Sequence, residues 1–327
     1  MSRANAEESF RKEKLTKLRF YVQDMVGGES PTVWKVAQSN LTDILPSAFG
    51  LVSVLDNLVT SGPKLDSGEM GRIQGIIGLS DFHEKALVML VNLVFTQGRY
   101  NGSTLSILGR NSLDAELREV PIVGGTGAFR MARGYAITST YAVDEAHTHG
   151  VIQYDVTLKL GSLYYITMEK FSTIMLILVS FLACTPMSRA IAEEGLGKEK
   201  LTRLRFYVQD MVGDESPTVW KVAQSNITGI LPSAFGLVSV LDNLVTSGPE
   251  MESVEVGRIQ GIIGLSDFHE KALVMLVNLV FTKGEYNGST LSILGRNSLD
   301  ADVREAPIVG GTGNGTWLCY YEHSCSR

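Results

Sequence analysis

Residues 86–109 read ALVMLVNLVFTQGRYNGSTLSILG, and residues 272–295 read ALVMLVNLVFTKGEYNGSTLSILG. Each stretch is an apolar run broken only by Asn92 or Asn278, then a polar turn holding Asn-Gly, then a second short apolar run. An Asn-Gly pair between two apolar runs is a strong short-range hairpin signal. The run Ala86–Phe95 is apolar on both of the faces a strand would present. One face fills the core of a small barrel and the other lies against a neighbouring subunit, since closing an antiparallel sheet removes its edges. A helix over Glu84–Val94 stays open, because periodicity does not separate the two over so short a run.

The recurrence extends outward from this hairpin. Lys14 to Gly127 aligns without a gap with Lys200 to Gly313, with 14 differences over 114 positions. The differences include Lys17/Arg203, Leu41/Ile227, Glu116/Asp302 and a cluster at Lys64–Met70 against Glu250–Val256. A repeat of this length is a duplicated domain and not a solenoid unit of about 20–50 residues. After Gly127 the first copy continues AFRMARGYAITSTYAVDEAHTHGVIQYDVTL, whereas after Gly313 the second reads NGTWLCYYEHSCSR. The second copy therefore reads as truncated. The organisation is a leader remnant or tail (1–13), a complete domain (14–160), a linker (161–192), an incomplete domain (200–313) and an aberrant tail (314–327).

The linker has the three-part layout of a secretory signal: a charged start at Met168-Glu-Lys170, an apolar run from Phe171 to Cys184, and the small-x-small site Ala190-Ile-Ala192. Its apolar run is short for a membrane span. A signal in mid-chain reads as the joint between two neighbouring tandem genes, with a signal-anchor helix as the alternative. Met1–Ala6 aligns with the end of this segment, so the first copy reads as having lost the front of the same leader.

Composition narrows the chemistry. A net charge of −6 on 327 residues argues against nucleic acid as a partner, which calls for a basic face. The three cysteines, Cys184, Cys319 and Cys325, all lie outside the complete domain. That removes a disulfide framework, a thiol nucleophile and a thiolate metal site from it. Five histidines occur without HxH or HExxH spacing, so no metal is expected, and His83 in SDFHE reads as an exposed turn residue. No nucleotide fingerprint or phosphate-cradling loop is present; Gly124-Gly-Thr-Gly127 reads as a turn between strands that needs positive φ. No cofactor is expected.

Short runs rich in Val, Ile, Phe and Tyr, separated by Gly, Asn, Asp and Ser, give a strand-and-turn rhythm. Strands are expected at 18–23, 32–38, 50–55, 71–79, 86–95, 103–109, 119–124, 129–141 and 150–158. The second copy lacks counterparts of the last two, so its sheet is expected not to close and to leave two unpaired edges.

Several motifs then fall into one order: Phe20-Tyr-Val-Gln-Asp24, Gly71-Arg-Ile-Gln-Gly75, Tyr100-Asn-Gly-Ser-Thr-Leu-Ser106, Gly109-Arg-Asn111, Arg118-Glu119 and Val123-Gly-Gly-Thr-Gly127-x-Phe129-Arg-x-Ala-Arg-Gly-Tyr135. In this order and spacing the chain resembles the plant dirigent proteins, over nearly all of the first copy and the second up to Gly313. The resemblance implies an all-β fold, an eight-stranded antiparallel barrel similar to allene oxide cyclase. It also implies assembly as a homodimer or homotrimer, secretion to the apoplast and glycosylation. The sequons at Asn40, Asn101, Asn226, Asn287 and Asn314 fit that. Asn101 also has a full explanation as a turn residue, so Asn40 is the preferred acceptor.

The same resemblance implies a function without oxidation by the protein itself. An external laccase or peroxidase makes phenoxy radicals of a monolignol such as coniferyl alcohol, and the barrel directs the handedness of their coupling in lignan biosynthesis. Positioning two reactants is the main physical effect. A carboxyl group would exchange a proton with a quinone methide, and an arginine would hold the ring oxygen as charge develops. Carried over residue by residue, Asp24 and Arg118 match the family's pocket aspartate and arginine, and Arg72 is a weaker candidate. Asp210, Arg304 and Arg258 are their counterparts in the second copy. Asn111 stands where coupling members that make pinoresinol have a second aspartate, and asparagine cannot exchange a proton at neutral pH. Gln23-Asp24 replaces their His-Asp. Two other functions compete: a pterocarpan-synthase-like dehydratase and cyclase acting on an isoflavanol, and a defence-related cell-wall binding protein. Each residue also has a bland reading: Asp24 as a turn cap, Arg118 in a surface ion pair with Glu116 or Glu119, and Asn111 as a turn residue.

Overall fold

The computed structural model describes residues 15–160, 203–213, 216–313 and 322–324. The leader remnant, the signal-like linker, Cys184, Cys319, Cys325 and Asn314 lie outside the described residues.

Copy one is built of nine strands: β1 (Leu15–Met25), β2 (Val33–Ala37), β3 (Val52–Thr60), β4 (Glu69–Leu79), β5 (Ala86–Phe95), β6 (Thr104–Ser112), β7 (Arg118–Thr126), β8 (Arg133–Val143) and β9 (His149–Lys159). Eight of them run β1-β9-β8-β7-β6-β5-β4-β3, and β1 pairs back onto β3 to close an antiparallel barrel. The ninth, β2, adds to the outside edge of β3. Closure depends on β9, which pairs along its whole length with β1 on one side and β8 on the other.

Side-chain alternation on each strand sorts inside from outside. Phe20 and Val22, Leu55 and Val59, Met89, Val91 and Leu93, Leu105 and Ile107, Val120 and Ile122, and Tyr154, Val156 and Leu158 fill one buried core. The residues between them face outward. The run Ala86–Phe95 is a strand, which removes the helical alternative.

Two turns differ in detail from the sequence reading. The Asn-Gly pair does lie between two paired strands, but in an eight-residue loop and not as a two-residue hairpin turn. Asn101 at φ −48°, ψ 133° followed by Gly102 at φ 80° is a type II turn, with the Ser103 amide donating to the Tyr100 carbonyl at 2.9 Å. The Gly124–Gly127 stretch is not all turn: β7 continues through Thr126, and of its glycines only Gly127 has positive φ, at 58°. Gly125 is needed for room, since a Cβ there would sit 2.6 Å from the Thr104 carbonyl oxygen.

Copy two repeats the early strands as β10 (Tyr207–Gln209), β11 (Val219–Ala223), β12 (Val238–Thr246), β13 (Glu255–Leu265), β14 (Ala272–Phe281), β15 (Thr290–Ser298), β16 (Val303–Glu305) and β17 (Ile308–Thr312), with β18 (Glu322–Ser324) against β16. Its sheet runs β10-β12-β13-β14-β15-β17 and does not close among the described residues. The register is inherited: Leu241 opposes Gly261 as Leu55 opposes Gly75. The burial is not. Leu55, Ile73 and Met89 are buried core, while Leu241, Ile259 and Met275 are only partly buried.

Candidate functional site

The two ends of the copy-one barrel differ. At one end Phe95, Tyr100 and Phe129 meet with ring centroids 4.7–5.5 Å apart and plug the interior. At the other end the register brings polar side chains into one inward-facing ring. Asp24 opposes Gly150, Thr140 opposes Ile152, Arg118 opposes Thr138, and Asn111 opposes Leu87.

Asp24 lies inside β1, in the alternation Phe20, Val22, Asp24, and is not a turn cap. Asn57 Nδ2 donates to its Oδ1 at 2.8 Å, and Asn57 Oδ1 in turn accepts from Thr32 Oγ1 at 2.5 Å. Burial raises the carboxyl's proton affinity above the ordinary range. The Asn57 hydrogen bond and the charge of His149 offset this in part. His149 is held by its Nε2 3.0 Å from Gln23 Oε1.

Arg118 is 5% exposed. No ion pair to it occurs among the described residues, so the surface pair with Glu116 or Glu119 is not formed. Its Nη2 donates to Thr140 Oγ1 at 3.0 Å, and its Nε is buried without a hydrogen-bond partner. Burial lowers its proton affinity, though a guanidinium stays charged at any working pH. Asn111 is a buried residue near the end of β6 and not a turn residue; its Nδ2 meets Met89 Sδ at 3.3 Å and its Oδ1 has no partner. Tyr154 feels the charges of both Arg118 and Asp24, and burial raises its phenol well above the usual range. The end of the barrel thus offers a protonatable carboxyl, a buried cation with a spare N–H, and a spare amide oxygen. A buried unmatched donor and acceptor are costly to leave empty, and they suit a phenolic hydroxyl, which accepts from one and donates to the other.

Arg72 does not join this ring. It lies on the outward face of β4, donates to the Asp56 carbonyl at 2.6 Å and forms an ion pair with the fully buried Asp56 carboxylate. Its neighbour Ile73 is the inward residue, so the period of two separates Arg72 from Asp24. In copy two, Asp210 is exposed and accepts from Asn243 Nδ2 at 3.1 Å. Arg304 Nη1 donates to Asn297 Oδ1 at 3.3 Å, so the counterparts of Arg118 and Asn111 close on each other. Arg258 pairs with Asp242 on the outer face at 2.5 Å. Asn40, Asn101, Asn226 and Asn287 are all exposed, and His83 is an exposed turn residue.

Sequence reasoning missed Asn57, Thr32, Thr140, His149 and Tyr154. Two of these carried a signal: Asn57 and Tyr154 occupy the inward phase of Leu55-x-Asn57-x-Val59 and Ile152-x-Tyr154-x-Val156.

The model of the dirigent-like protein family matches residues 15–159 and 201–315. The chain belongs to the dirigent-like family. It is 43% identical over 144 residues to dirigent protein 21 of Arabidopsis thaliana, covering 44% of this chain and 76% of that protein. It is 44% identical over 150 residues to pterocarpan synthase 1 of Glycine max, covering 45% of this chain and 80% of that protein. A solved pterocarpan synthase dirigent protein shares 39% identity with a TM-score of 0.43, covering 47% of this chain and 99% of that one. Each of these three relatives spans about one dirigent domain of this chain.

Proposed function

We infer that copy one acts on a single phenolic molecule that passes through a quinone methide, as a dehydratase and cyclase of the pterocarpan-synthase kind. The observation that carries this reading is the lone carboxyl: Asp24 has its proton affinity raised by burial, and the position opposite in function holds Asn111. Coupling two monolignol radicals yields two quinone methides, each needing a proton transfer, and one carboxyl serves one of them. For an isoflavanol the balance closes with one acid. Asp24 protonates the leaving hydroxyl, its carbon–oxygen bond breaks to release water, and electrons from the ring phenolate form the quinone methide. A second phenol hydroxyl adds to the methide carbon, and its proton returns to the Asp24 carboxylate. The net change is loss of one water, with no oxidant consumed. Arg118 holds the substrate as the ring phenolate, whose negative charge falls as the quinone methide forms and returns when the second oxygen adds, the role of a preorganised donor.

The second reading, stereodirected coupling of coniferyl alcohol radicals supplied by an external laccase or peroxidase, rests on the 43% identity to a dirigent protein. It uses the same ring for orientation. Either activity belongs outside the cell, with Asn40 as the glycan acceptor. Chiral product analysis separates the two. The full chain is incubated with an isoflavanol alone, and with coniferyl alcohol plus a one-electron oxidant. Oxidant-free formation of the cyclic ether, lost in Asp24→Asn, is the expected result. Enantiomeric excess appearing only with oxidant would replace this reading with the second.

A further inference from the structure

The Asp24 carboxyl ends a short chain of hydrogen bonds that starts at the backbone. Met25 N–H donates to Thr32 Oγ1 at 3.2 Å, and the Thr32 hydroxyl donates to Asn57 Oδ1 at 2.5 Å. Asn57 Nδ2 then donates to Asp24 Oδ1 at 2.8 Å. Thr32 and Asn57 are both buried, which keeps water from taking the place of either. The backbone of Thr32 is fixed from two sides: its N–H donates to the Met25 carbonyl at 2.8 Å, and its carbonyl accepts from Asp56 N–H at 2.9 Å.

The direction of each bond is set by the one before it. A backbone N–H only donates, so it takes a lone pair of Thr32 Oγ1. The hydroxyl proton then goes to Asn57, which must present its oxygen there and its NH2 group to Asp24. A turned amide would aim two donors, Met25 N–H and Asn57 Nδ2, at one hydroxyl oxygen. It would also leave the hydroxyl proton only the Met25 carbonyl, at 3.5 Å. Asp24 Oδ1 is therefore always met by a donor. In a neutral carboxyl the carbonyl oxygen is the stronger acceptor, so Oδ1 is the carbonyl and the proton sits on Oδ2. No hydrogen bond to Oδ2 occurs among the described residues, and Asp24 is on the inward phase of β1.

Copy two has the same four residues but not the same chain of bonds. Met211 N–H donates to Thr218 Oγ1 at 3.2 Å, and Asn243 Nδ2 donates to Asp210 Oδ1 at 3.1 Å. The middle link is missing, because Asn243 Oδ1 is buried without a partner.

We propose that Thr32 and Asn57 are positioning residues that keep the Asp24 proton on Oδ2, the oxygen left open to the substrate. One atom then gives the proton to the leaving hydroxyl and takes it back from the second phenol, with no rotation of the carboxyl between the two transfers. This consequence for turnover rests on the dehydratase and cyclase reading; the orientation of the carboxyl does not. Burial raises the proton affinity of Asp24, while the Asn57 hydrogen bond and the charge of His149 lower it. His149 and Tyr154, both on β9, are the titratable groups whose charge acts on or responds to Asp24, and neither is altered by substitution at Thr32 or Asn57.

Infrared difference spectra of the full chain across the Asp24 titration, isolated by subtracting the Asp24→Asn spectrum, test this. A donor to a carbonyl oxygen weakens the C=O bond and lowers its stretching frequency. With the proton on Oδ2, the band of the neutral carboxyl should move to higher frequency in Thr32→Val and in Asn57→Leu, and return in Thr32→Ser, which keeps the hydroxyl. With the proton on Oδ1 the carbonyl would be Oδ2, which Asn57 does not touch, and the band would stay in place. Loss of the donor also removes a bond that favours the charged form. The alkaline limb of the activity profile should therefore rise by about one pH unit in Thr32→Val and not in Thr32→Ser. Thr32→Val is close to isosteric, so it gives the reading even if Asn57→Leu does not fold. An unmoved band in Thr32→Val overturns the proposal, as does a band that moves equally in Thr32→Ser. A band that moves as expected in a chain without oxidant-free cyclisation would uphold the orientation and overturn the functional reading alone.

Discussion

Copy one and copy two agree at 100 of 114 aligned positions, yet only one of them makes the polar ring. Asp24 is half-buried, while Asp210 is exposed. Arg118 reaches Thr140 on β8 and leaves the Asn111 Oδ1 unmatched, while Arg304 folds onto Asn297 Oδ1; the Nε of each arginine is buried without a partner. The site residues are the same; what differs is that, among the described residues, the copy-two sheet is not closed by counterparts of β8 and β9. A site of this kind is a product of closure, because β8 and β9 hold the arginine out and shield the carboxylate from water. The same closure sets the depth of the core, since Met89 and Ile73 are buried only where β9 completes the wall.

The largest expected effect separates the copies by chemistry. Asp24→Asn in the full chain should lower product formation by about 10²–10⁴-fold, the range for losing a positioned acid. Asp210→Asn should leave the rate unchanged. Equal losses from the two substitutions would show that copy two carries a working site after all. Next, Phe129→Ala removes a fully buried ring from the barrel plug and should cost about 3–5 kcal/mol in denaturant unfolding. Arg118→Ala should slow turnover by roughly 10²-fold, with partial recovery in Arg118→Lys, while Arg304→Ala has no kinetic effect.

A smaller effect concerns pH. The folded state holds the Asp24 proton more tightly than the unfolded chain does, because burial raises its proton affinity. The stabilisation it brings is full below the unfolded value of about 3.9 and is lost as pH rises through the higher folded value. Activity that needs protonated Asp24 falls over the same upper limb. Asp24→Asn should therefore be more stable than the parent at neutral pH although inactive, and its melting temperature should lose that pH dependence. Last, Asp155→Ala, which breaks the exposed pair with Arg19, should shift neither melting nor activity measurably.

Much of this protein was legible as sequence. The duplication, the strand rhythm and the family motifs gave an all-β barrel in one complete and one incomplete copy. They also gave Asp24 and Arg118, whose inward phase follows from alternation with Phe20, Val22, Val120 and Ile122. Arg72 lies on the outer wall in an ion pair with Asp56, a placement its motif did not give because a motif says nothing of the face it lands on. Asn57, Thr140 and Tyr154 come from strands remote in the chain, so only pairing brings them to Asp24 and Arg118.

The sequence by itself determined which segments become strands and which residues alternate inward, because period and turn chemistry are local properties. The tertiary structure decided which carboxyl is shielded from water, which amide oxygen is left without a donor, and which copy of an identical face is covered. Those outcomes depend on water exclusion and on partners supplied by distant strands, and two segments of nearly identical sequence can differ in both.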